Sequence, residues 1–366
     1  MESVHKIIFT DSQAFESIAD ETIDLVVTSP PYPMIEMWDE IFSNQDPAIR
    51  AAIGDGDGNS AFELMHKLLD NMWGEVFRVL KYGGIACINI GDATRTIRKH
   101  FRLYPNHARI LSRCVELGFS NLPNIIWRKQ TNAPNKFMGS GMLPPGAYVT
   151  LEHEYVLILR KGNKRDFKTA GDKLLRNQTA YFWEERNSWF SDVWFGLKGV
   201  NQALNHKDIR ERSGAFPFEL AYRLINMYSV RGDTVLDPFL GTGTTALAAI
   251  ASDRNSIGIE IDRSLEPIVL ETLTKNVIAK CNSYIKQRIS NHLRFVEERK
   301  QNKGDDAFKY TNECFGFPVM TRQEIKLLIN YLTDCEKTTE GSIRITYCDE
   351  PVIDHAELNS LSSLLA

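Results

Sequence analysis

The sequence predicts an α/β fold with a mostly parallel sheet. Short apolar runs of strand length alternate with longer segments in which apolar residues recur every three to four positions, the pattern of amphipathic helices. Several of these runs end at clusters of Gly, Pro, Asp and Ser, which is typical of strands that stop at turns. The 366 residues are 43% hydrophobic and 25% charged, a composition that suits one large α/β domain with insertions or a domain with a small satellite.

The first half of the chain carries most of the predicted strands. Glycine-rich residues 81–84 are expected to end the long helix that precedes them. The Gly- and Asp-rich residues 53–59 are predicted to be a flexible loop, because no acid stands at the twelfth position of a calcium loop. In chain order, the predictions are strands at 6–9, 24–27, 85–90, 124–127 and 155–159, and helices at 60–80 and 104–117.

The second half repeats the strand and helix alternation. The predicted strands are 234–236 and 256–262, and the predicted helices are 218–228, 246–251 and most of 264–300. The tail after residue 304 mixes a predicted helix near 322–332 with a predicted strand at 342–347, and no chemistry is assigned to it.

The charge of the chain limits its partners. A net charge of −4 and a pI of about 6.1 mean that any nucleic-acid surface must come from local patches. Two basic runs, 95–102 and 160–165, and the aromatic-rich residues 181–195 are compatible with contacts to DNA. Taken singly, each run is better explained as a solvated face.

The cysteines and the apolar runs indicate the compartment. The six cysteines are scattered without C-x-x-C pairing, so neither a metal site nor a disulfide framework is expected. The N-terminus lacks the pattern of a signal peptide, and no apolar run approaches the ~20 residues of a membrane span. We therefore expect a cytoplasmic protein without a membrane partner.

One stretch, residues 28–32 (TSPPY), directly follows the predicted strand 24–27. The two prolines end the strand and fix the backbone, because neither can donate a ladder hydrogen bond. A rigid loop of this kind aims the Ser29 hydroxyl and nearby carbonyls at one point, beside the flat ring of Tyr32. Such a pair of acceptors suits a planar base held by its exocyclic amino group. A Pro-Pro turn that caps a core strand explains the same residues.

A second stretch, residues 237–245 (DPFLGTGTT), follows the predicted strand 234–236 and precedes a helix. Its glycines let a ligand approach the backbone. A P-loop is excluded because no Lys follows, whereas a dinucleotide site fits the loose glycine fingerprint, with Glu260 near the ribose position. The Asp237 carboxylate argues instead for S-adenosylmethionine, whose ammonium group NAD lacks. A tight turn with incidental acids also stays open.

Together the two stretches resemble the amino-methylating DNA methyltransferases of restriction-modification type, which act on cytosine N4 or adenine N6. The catalytic motif comes before the cofactor loop, an order that resembles the β group of that family. Residues 78–84 and 215–220 add similarity at a helix-to-strand junction and at a segment that packs over the cofactor. The resemblance spans roughly residues 5–275 and implies a Rossmann-like S-adenosylmethionine-dependent methyltransferase fold.

The resemblance also implies a set of site residues. The implied catalytic residues are Ser29, Pro30, Pro31 and Tyr32. The implied residues for S-adenosylmethionine are Asp11, Ser12, Phe216, Pro217, Asp237, Phe239, Gly241, Gly243, Thr244 and Glu260. The tail after residue 300 has no usable counterpart in the family.

The expected function is site-specific methylation of double-stranded DNA by direct in-line transfer, with the target base flipped out of the helix. Ser29, where adenine enzymes more often carry Asp, favours cytosine N4, and adenine N6 is the alternative. A nicotinamide-dependent oxidoreductase or a catalytically silent DNA-binding module would each leave one motif unused. A cognate restriction endonuclease and a homodimer stay open, as does the recognition sequence.

We expect four regions. Residues 1–128 and 211–300 are predicted to be the catalytic and cofactor-binding halves of the methyltransferase domain. Residues 129–210 are the predicted target-recognition insertion, chosen by elimination and composition, and residues 301–366 are a C-terminal extension of unknown role.

Overall fold

Eleven strands within the described residues form one mixed sheet that organises the chain. The computed structural model describes residues 1–10, 15–129, 138–197, 216–339 and 341–349. The strands, including short hairpin strands outside the main sheet, are β1 (Glu2–Phe9), β2 (Ile23–Thr28), β3 (Leu80–Ile90), β4 (Ala93–Ile97), β5 (His100–Tyr104), β6 (Phe119–Asn121), β7 (Ile125–Arg128), β8 (Met138–Gly139), β9 (Ala147–Tyr148), β10 (His153–Lys161), β11 (Val193–Trp194), β12 (Thr234–Asp237), β13 (Asn255–Glu260), β14 (Tyr310–Thr311), β15 (Pro318–Val319), β16 (Leu332–Lys337) and β17 (Ile343–Tyr347).

Helices cover both faces of this sheet. The described α-helices are α1 (Asp39–Gln45), α2 (Pro47–Asp55), α3 (Gly58–Val79), α4 (Asn106–Glu116), α5 (Ala170–Gln178), α6 (Trp183–Trp189), α7 (Phe218–Tyr228), α8 (Thr244–Ile250), α9 (Glu266–Thr274) and α10 (Val277–Lys303).

The centre of the sheet is parallel. Strands β3, β2, β12, β13 and β1 lie side by side in that order, each parallel to its neighbour. Antiparallel strands extend the sheet on both sides, with β10 next to β3 and the β17–β16 pair next to β1. The predicted α/β fold with a parallel core is confirmed. Parallel neighbours place their carboxyl ends at one edge, which is where such sheets bind ligands.

Strand β2 shows how the core is divided, since all six of its residues are buried. Leu25 and Val27 pack into the apolar cluster on the face that carries α7 and α10. Ile23 and Val26 pack into the cluster on the opposite face, which carries α3. A strand covered by helices on both faces reads as a continuous apolar run, because no residue of it faces water.

Most predicted elements lie where the periodicity puts them. The helix predicted at 218–228 is α7 at the same bounds, and the helix predicted at 60–80 is α3, shifted by two residues at most. The predicted helical stretch 264–300 is confirmed in most of its length, but it divides into α9 and α10 at Asn276, whose φ is 56°.

Two local predictions in the first half are wrong. Residues 53–59 form a tight junction between two helices, because Gly56 ends α2 at φ 85° and the Asp57 carboxylate caps α3 by accepting the Ser60 N–H. Residues 81–84 do not form a helix end but belong to β3, which begins at Leu80. The basic run 95–102, for which no element was predicted, forms most of the β4–β5 hairpin, with Arg98 and Lys99 at positive φ in its turn.

The predicted helix at 322–332 is also wrong, since only a 3₁₀ turn forms at Arg322–Glu324. Tertiary hydrogen bonds use the backbone groups that a helix would need. Asn312 donates to the carbonyls of Glu324 and Leu327, and the Leu328 N–H donates to the Gln178 carbonyl. The strand predicted at 342–347 is confirmed as β17.

Three further features concern the cysteines, possible metal ligands and membrane-spanning helices. The six cysteines are free. Among the described residues no group of His, Cys, Asp and Glu is arranged to hold a metal ion. The helices of the described ranges include none that is both long and apolar enough to cross a lipid bilayer.

Candidate active site

Three neighbouring parallel strands bring the two sequence motifs together. Val235 and Leu236 of β12 pair with Leu25 and Val26 of β2, and β12 also pairs with β13 along its length. The residues that follow or end these strands therefore share one edge of the sheet. Ser29 follows β2, Asp237 ends β12 and Glu260 ends β13.

Asp237 ties the ends of two strands to the helix that follows the glycine loop. One carboxylate oxygen accepts the Thr28 hydroxyl at 2.7 Å and the Phe239 N–H at 3.0 Å. The other oxygen accepts the Thr245 hydroxyl at 2.6 Å. The residue is 3% exposed. Burial raises the pKa of Asp237 to about 6, although these hydrogen bonds to the carboxylate oppose the shift.

The glycine loop is shaped by two left-handed residues, Gly241 at φ 55° and Gly243 at φ 89°. The space where a Cβ of Gly241 would lie is open. Leu240 anchors the loop: its N–H donates to the Ile259 carbonyl, and its side chain lies where a Cβ of Gly258 would be. The loop thus follows the sheet edge closely, as a backbone that approaches a ligand must.

Glu260 closes the other side of this loop. Its Oε2 accepts the Gly241 N–H at 2.8 Å, and its Oε1 accepts the Asp262 N–H at 2.9 Å. Burial raises the pKa of Glu260, and the two backbone hydrogen bonds act against that shift. The carboxylate is fixed at the strand end with its orientation set by backbone groups.

The Ser29–Tyr32 loop is held as a rigid unit. Pro30 is buried, and Ser29, Pro31 and Tyr32 are partly buried. The Tyr32 ring lies against Gly91, where an added Cβ would come within 2.9 Å of the ring Cε2. No larger residue fits at position 91 without moving the ring.

The Tyr32 hydroxyl lies in a polar network that the sequence did not predict. This hydroxyl donates to Glu154 Oε2 at 2.8 Å and accepts from Asn89 Nδ2 at 2.8 Å and from the Ser29 hydroxyl at 3.2 Å. Asn89 Nδ2 also donates to Glu154 Oε2 at 2.7 Å, and Lys129 Nζ lies 2.7 Å from Glu154 Oε1. Burial raises the pKa of Tyr32 well above its usual value.

Asn106, at the start of α4, holds the loop from behind. Its amide donates to the carbonyls of Pro33 and Gly91, each at 3.0 Å, and its oxygen lies 3.0 Å from His66 Nε2. Burial lowers the pKa of His66 to about 3, so its ring is neutral. The two carbonyl contacts fix the orientation of the Asn106 amide, and its oxygen therefore accepts the His66 Nε2–H.

The remaining predicted residues are described in part. Phe216 and Pro217 are buried ahead of α7, and Phe216 packs into the apolar cluster on that face. Phe239 is half-buried against the opposite cluster, and Thr244 is buried at the start of α8. Asp11 and Ser12 lie outside the described residues.

Comparison with known proteins identifies a family that this chain matches. The model of a DNA methylase family of N6 and N4 methyltransferases matches residues 23–271. The type II methyltransferase M.MthZI of Methanothermobacter thermautotrophicus is 50% identical over 348 residues, which are 95% of this chain and 96% of that protein. M.MjaI of Methanocaldococcus jannaschii, also a type II methyltransferase, is 51% identical over 280 residues, covering 74% of this chain and 91% of the relative.

A solved structure has the same fold. TTHA0409 of Thermus thermophilus, given as a candidate DNA modification methylase and crystallised with S-adenosyl-L-methionine, superposes with a TM-score of 0.58. It is 31% identical, and the match covers 75% of this chain and 96% of that one.

Proposed function

We propose that this chain, which belongs to the DNA methylase family of N6 and N4 methyltransferases, methylates the exocyclic N4 of cytosine in duplex DNA. It is a DNA amino-methyltransferase that uses S-adenosylmethionine, and the choice of cytosine N4 is the part that we infer. The observation that carries the inference is Ser29, a neutral hydroxyl directly after β2, at the same sheet edge at which the buried Asp237 and Glu260 end β12 and β13.

The residues at the sheet edge fit the cofactor. Beside Gly241 the loop is open, and the hydroxyl of the buried Thr242 has no hydrogen-bond partner within the described residues. We propose that Glu260 accepts the ribose hydroxyls and that the Asp237 carboxylate offsets the ammonium charge. The wider binding set that we propose is Asp11, Ser12, Phe216, Pro217, Asp237, Phe239, Gly241, Gly243, Thr244 and Glu260.

The bound sulfonium supplies an electrophilic methyl group. The amino nitrogen of a base is a poor nucleophile because its lone pair is delocalised into the ring. We propose that Ser29 Oγ and the Pro30 carbonyl accept the two amino N–H groups and so favour a pyramidal nitrogen whose lone pair is available. The amino nitrogen gains the methyl group, the sulfonium becomes a thioether, and one amino proton is released. Pro31 keeps the loop rigid, and Tyr32 offers a stacking face to the flipped base.

The serine at position 29 supports cytosine over adenine, because adenine enzymes of the family that this chain resembles more often carry Asp there. The chemistry at the amino group is the same for both bases, so the target base needs a direct test. The test is to incubate the purified protein with mixed-sequence duplex DNA and methyl-labelled S-adenosylmethionine, digest to nucleosides and identify the labelled nucleoside by mass. Label in N4-methylcytosine supports the proposal. Label in N6-methyladenine keeps the mechanism and changes the base, and an unlabelled DNA refutes the enzyme assignment.

DNA recognition is assigned, as a proposal, to residues 129–210 and the neighbouring β4–β5 hairpin. That hairpin and the β8–β9 hairpin touch through stacked Phe101 and Tyr148 rings, 4.6 Å apart. Residues 93–104 contain no acid and several bases, which suits the phosphate backbone. Strand β10 lies within 129–210 but belongs to the main sheet, so the recognition contacts are proposed for the segments around it. The remaining domain bounds stay predictions.

Two partners are also proposed. Relatives described as type II methyltransferases point to a restriction-modification system and hence to a cognate endonuclease. A homodimer is the second proposal, and light scattering of the purified protein with and without DNA tests it.

A further inference from the structure

A continuous chain of hydrogen bonds joins Ser29 to a carboxylate far away in sequence. The Ser29 hydroxyl donates to the Tyr32 oxygen at 3.2 Å, and the Tyr32 hydroxyl donates to Glu154 Oε2 at 2.8 Å. Glu154 lies on β10 and is 7% exposed, and Asn89 of β3 is 1% exposed. Asn89 is flanked in β3 by the buried Ile88 and Ile90, and Glu154 lies near the start of β10, ahead of its buried apolar residues Val156 to Leu159.

The direction of each hydrogen bond follows from which groups carry protons. A carboxylate only accepts, so the single proton of Tyr32 is directed to Glu154. The Tyr32 oxygen is then an acceptor for its other neighbours, Asn89 Nδ2 and the Ser29 hydroxyl. Asn89 Nδ2 donates to Glu154 as well, which fixes the amide with its nitrogen toward the network. Burial and the nearby Glu154 charge keep the Tyr32 phenol protonated, because both raise its pKa.

We propose that Glu154 is a positioning residue that, through Tyr32, turns the Ser29 hydroxyl hydrogen away from the target base and leaves the Ser29 lone pairs free to accept an amino N–H. This inference rests on the proposed function, and it deepens it by naming what makes Ser29 an acceptor. Serine hydroxyls rotate and can donate or accept. In this site the Ser29 hydrogen is occupied by Tyr32, so Ser29 faces the base as an acceptor.

The arrangement has a consequence for specificity. A base with an amino group at the reacting position donates to an acceptor, whereas uracil presents a carbonyl oxygen there, which needs a donor. A Ser29 held as an acceptor disfavours uracil, because two facing acceptors leave buried polar groups unpaired. Releasing the Ser29 hydroxyl should therefore weaken discrimination against uracil, an effect that general damage to the fold does not produce.

The experiment compares Glu154→Ala, Glu154→Gln, Tyr32→Phe and the double variant Glu154→Ala/Tyr32→Phe, with Glu116→Ala on the surface of α4 as the matched control. Single-turnover transfer is measured on a duplex that wild type labels. Binding is compared for that duplex and for one with uracil at the labelled cytosine. Affinity for S-adenosylmethionine and the melting temperature report on the fold.

Glu154→Ala and Tyr32→Phe should slow transfer about 10- to 100-fold, the range expected for losing one hydrogen bond to a charged group, with cofactor affinity unchanged. Both should bind the uracil duplex more tightly relative to the cytosine duplex than wild type does. The transfer rate of Glu154→Gln should stay within about threefold of wild type, since the side-chain oxygen of glutamine can take the place of Glu154 Oε2 and accept the Tyr32 proton. The double variant should be no slower than Tyr32→Phe, because Glu154 acts through Tyr32.

Wild-type rates in Glu154→Ala, additive losses in the double variant, or unchanged discrimination against uracil in Tyr32→Phe would each overturn the proposal. If Glu154→Ala does not fold, the comparison of Tyr32→Phe with wild type decides, since it removes one atom. Label in adenine instead of cytosine overturns the base assignment and leaves the inference standing, with the uracil duplex replaced by one carrying hypoxanthine. A wild type without any transfer overturns both.

Discussion

Replacing Asp237 by asparagine should change how the stability of this protein depends on pH. The folded carboxylate is buried among Thr28, Thr245 and the Phe239 N–H, and burial raises its pKa to about 6. In the unfolded chain an aspartate titrates near 3.9. The folded state thus holds the proton more tightly, so this residue contributes stability as the pH falls through 6 and loses it as the pH rises.

The size of the effect follows from the two pKa values. The shift of roughly two pH units corresponds to about 3 kcal/mol of unfolding free energy between acid and alkaline limits. Over the accessible range from pH 7.5 to pH 5, the wild-type protein should gain about 1.4 kcal/mol relative to Asp237→Asn. An asparagine does not take up a proton in this range, so its contribution to stability does not change with pH. Its amide can still form hydrogen bonds to both threonine hydroxyls.

The assay is urea unfolding of wild type and Asp237→Asn at matched pH values, with Asp334→Asn on the exposed face of β16 as the control. The unfolding free energy of wild type relative to Asp237→Asn should rise as the pH falls from 7.5 to 5. The unfolding free energy of wild type relative to the control variant should not rise over the same range. A flat difference for Asp237→Asn would show that the buried carboxylate titrates as an ordinary one, and the reasoning from burial would fail.

Three further predictions test the site. Ser29→Ala should slow methyl transfer and leave the affinity for S-adenosylmethionine, measured by calorimetry, nearly intact. Asp237→Ala should instead weaken the affinity for S-adenosylmethionine more than it slows transfer. An equal loss of transfer rate and cofactor affinity in Ser29→Ala contradicts the assignment of Ser29. Gly91→Ala should slow transfer, because the added Cβ lies 2.9 Å from Tyr32, and Gly74→Ala on α3, with open space around it, should keep wild-type rates. Asn106→Ala should lower the unfolding free energy by about 3 kcal/mol, since it leaves two buried carbonyls without a donor; a loss below about 1 kcal/mol would mean that water replaces the amide.

The site at the sheet edge could be predicted from the sequence for a physical reason. A buried parallel strand is a short apolar run, and its end is marked by residues that cannot continue it, as in the Ser29–Tyr32 loop and the glycine loop after Asp237. The pairing of β2 with β12 then brings both loops together. Local pattern and tertiary structure agree at these positions, because the strand ends are themselves the site.

The network around Glu154 could not be found in the same way. Glu154 and Asn89 meet only because β10 pairs antiparallel with β3, which places Asn89 opposite Val156. A single polar residue in an apolar strand signals burial of a polar group but not its partner. The wrong helix at 322–332 has a related cause, since its backbone groups are used by Asn312 and Gln178, which are distant in sequence.

The outer strands of the sheet have a protective role. A strand edge with free N–H and C=O groups can pair with another molecule and start aggregation. Here β17 covers the edge of β1, and the described sheet stops at β16, whose exposed residues include Asp334, Glu336 and Lys337. On the opposite side it stops at β11, which is two residues long. The β16–β17 pair, for which no chemistry was found, thus occupies the edge of β1 that would otherwise be open to pairing with another chain.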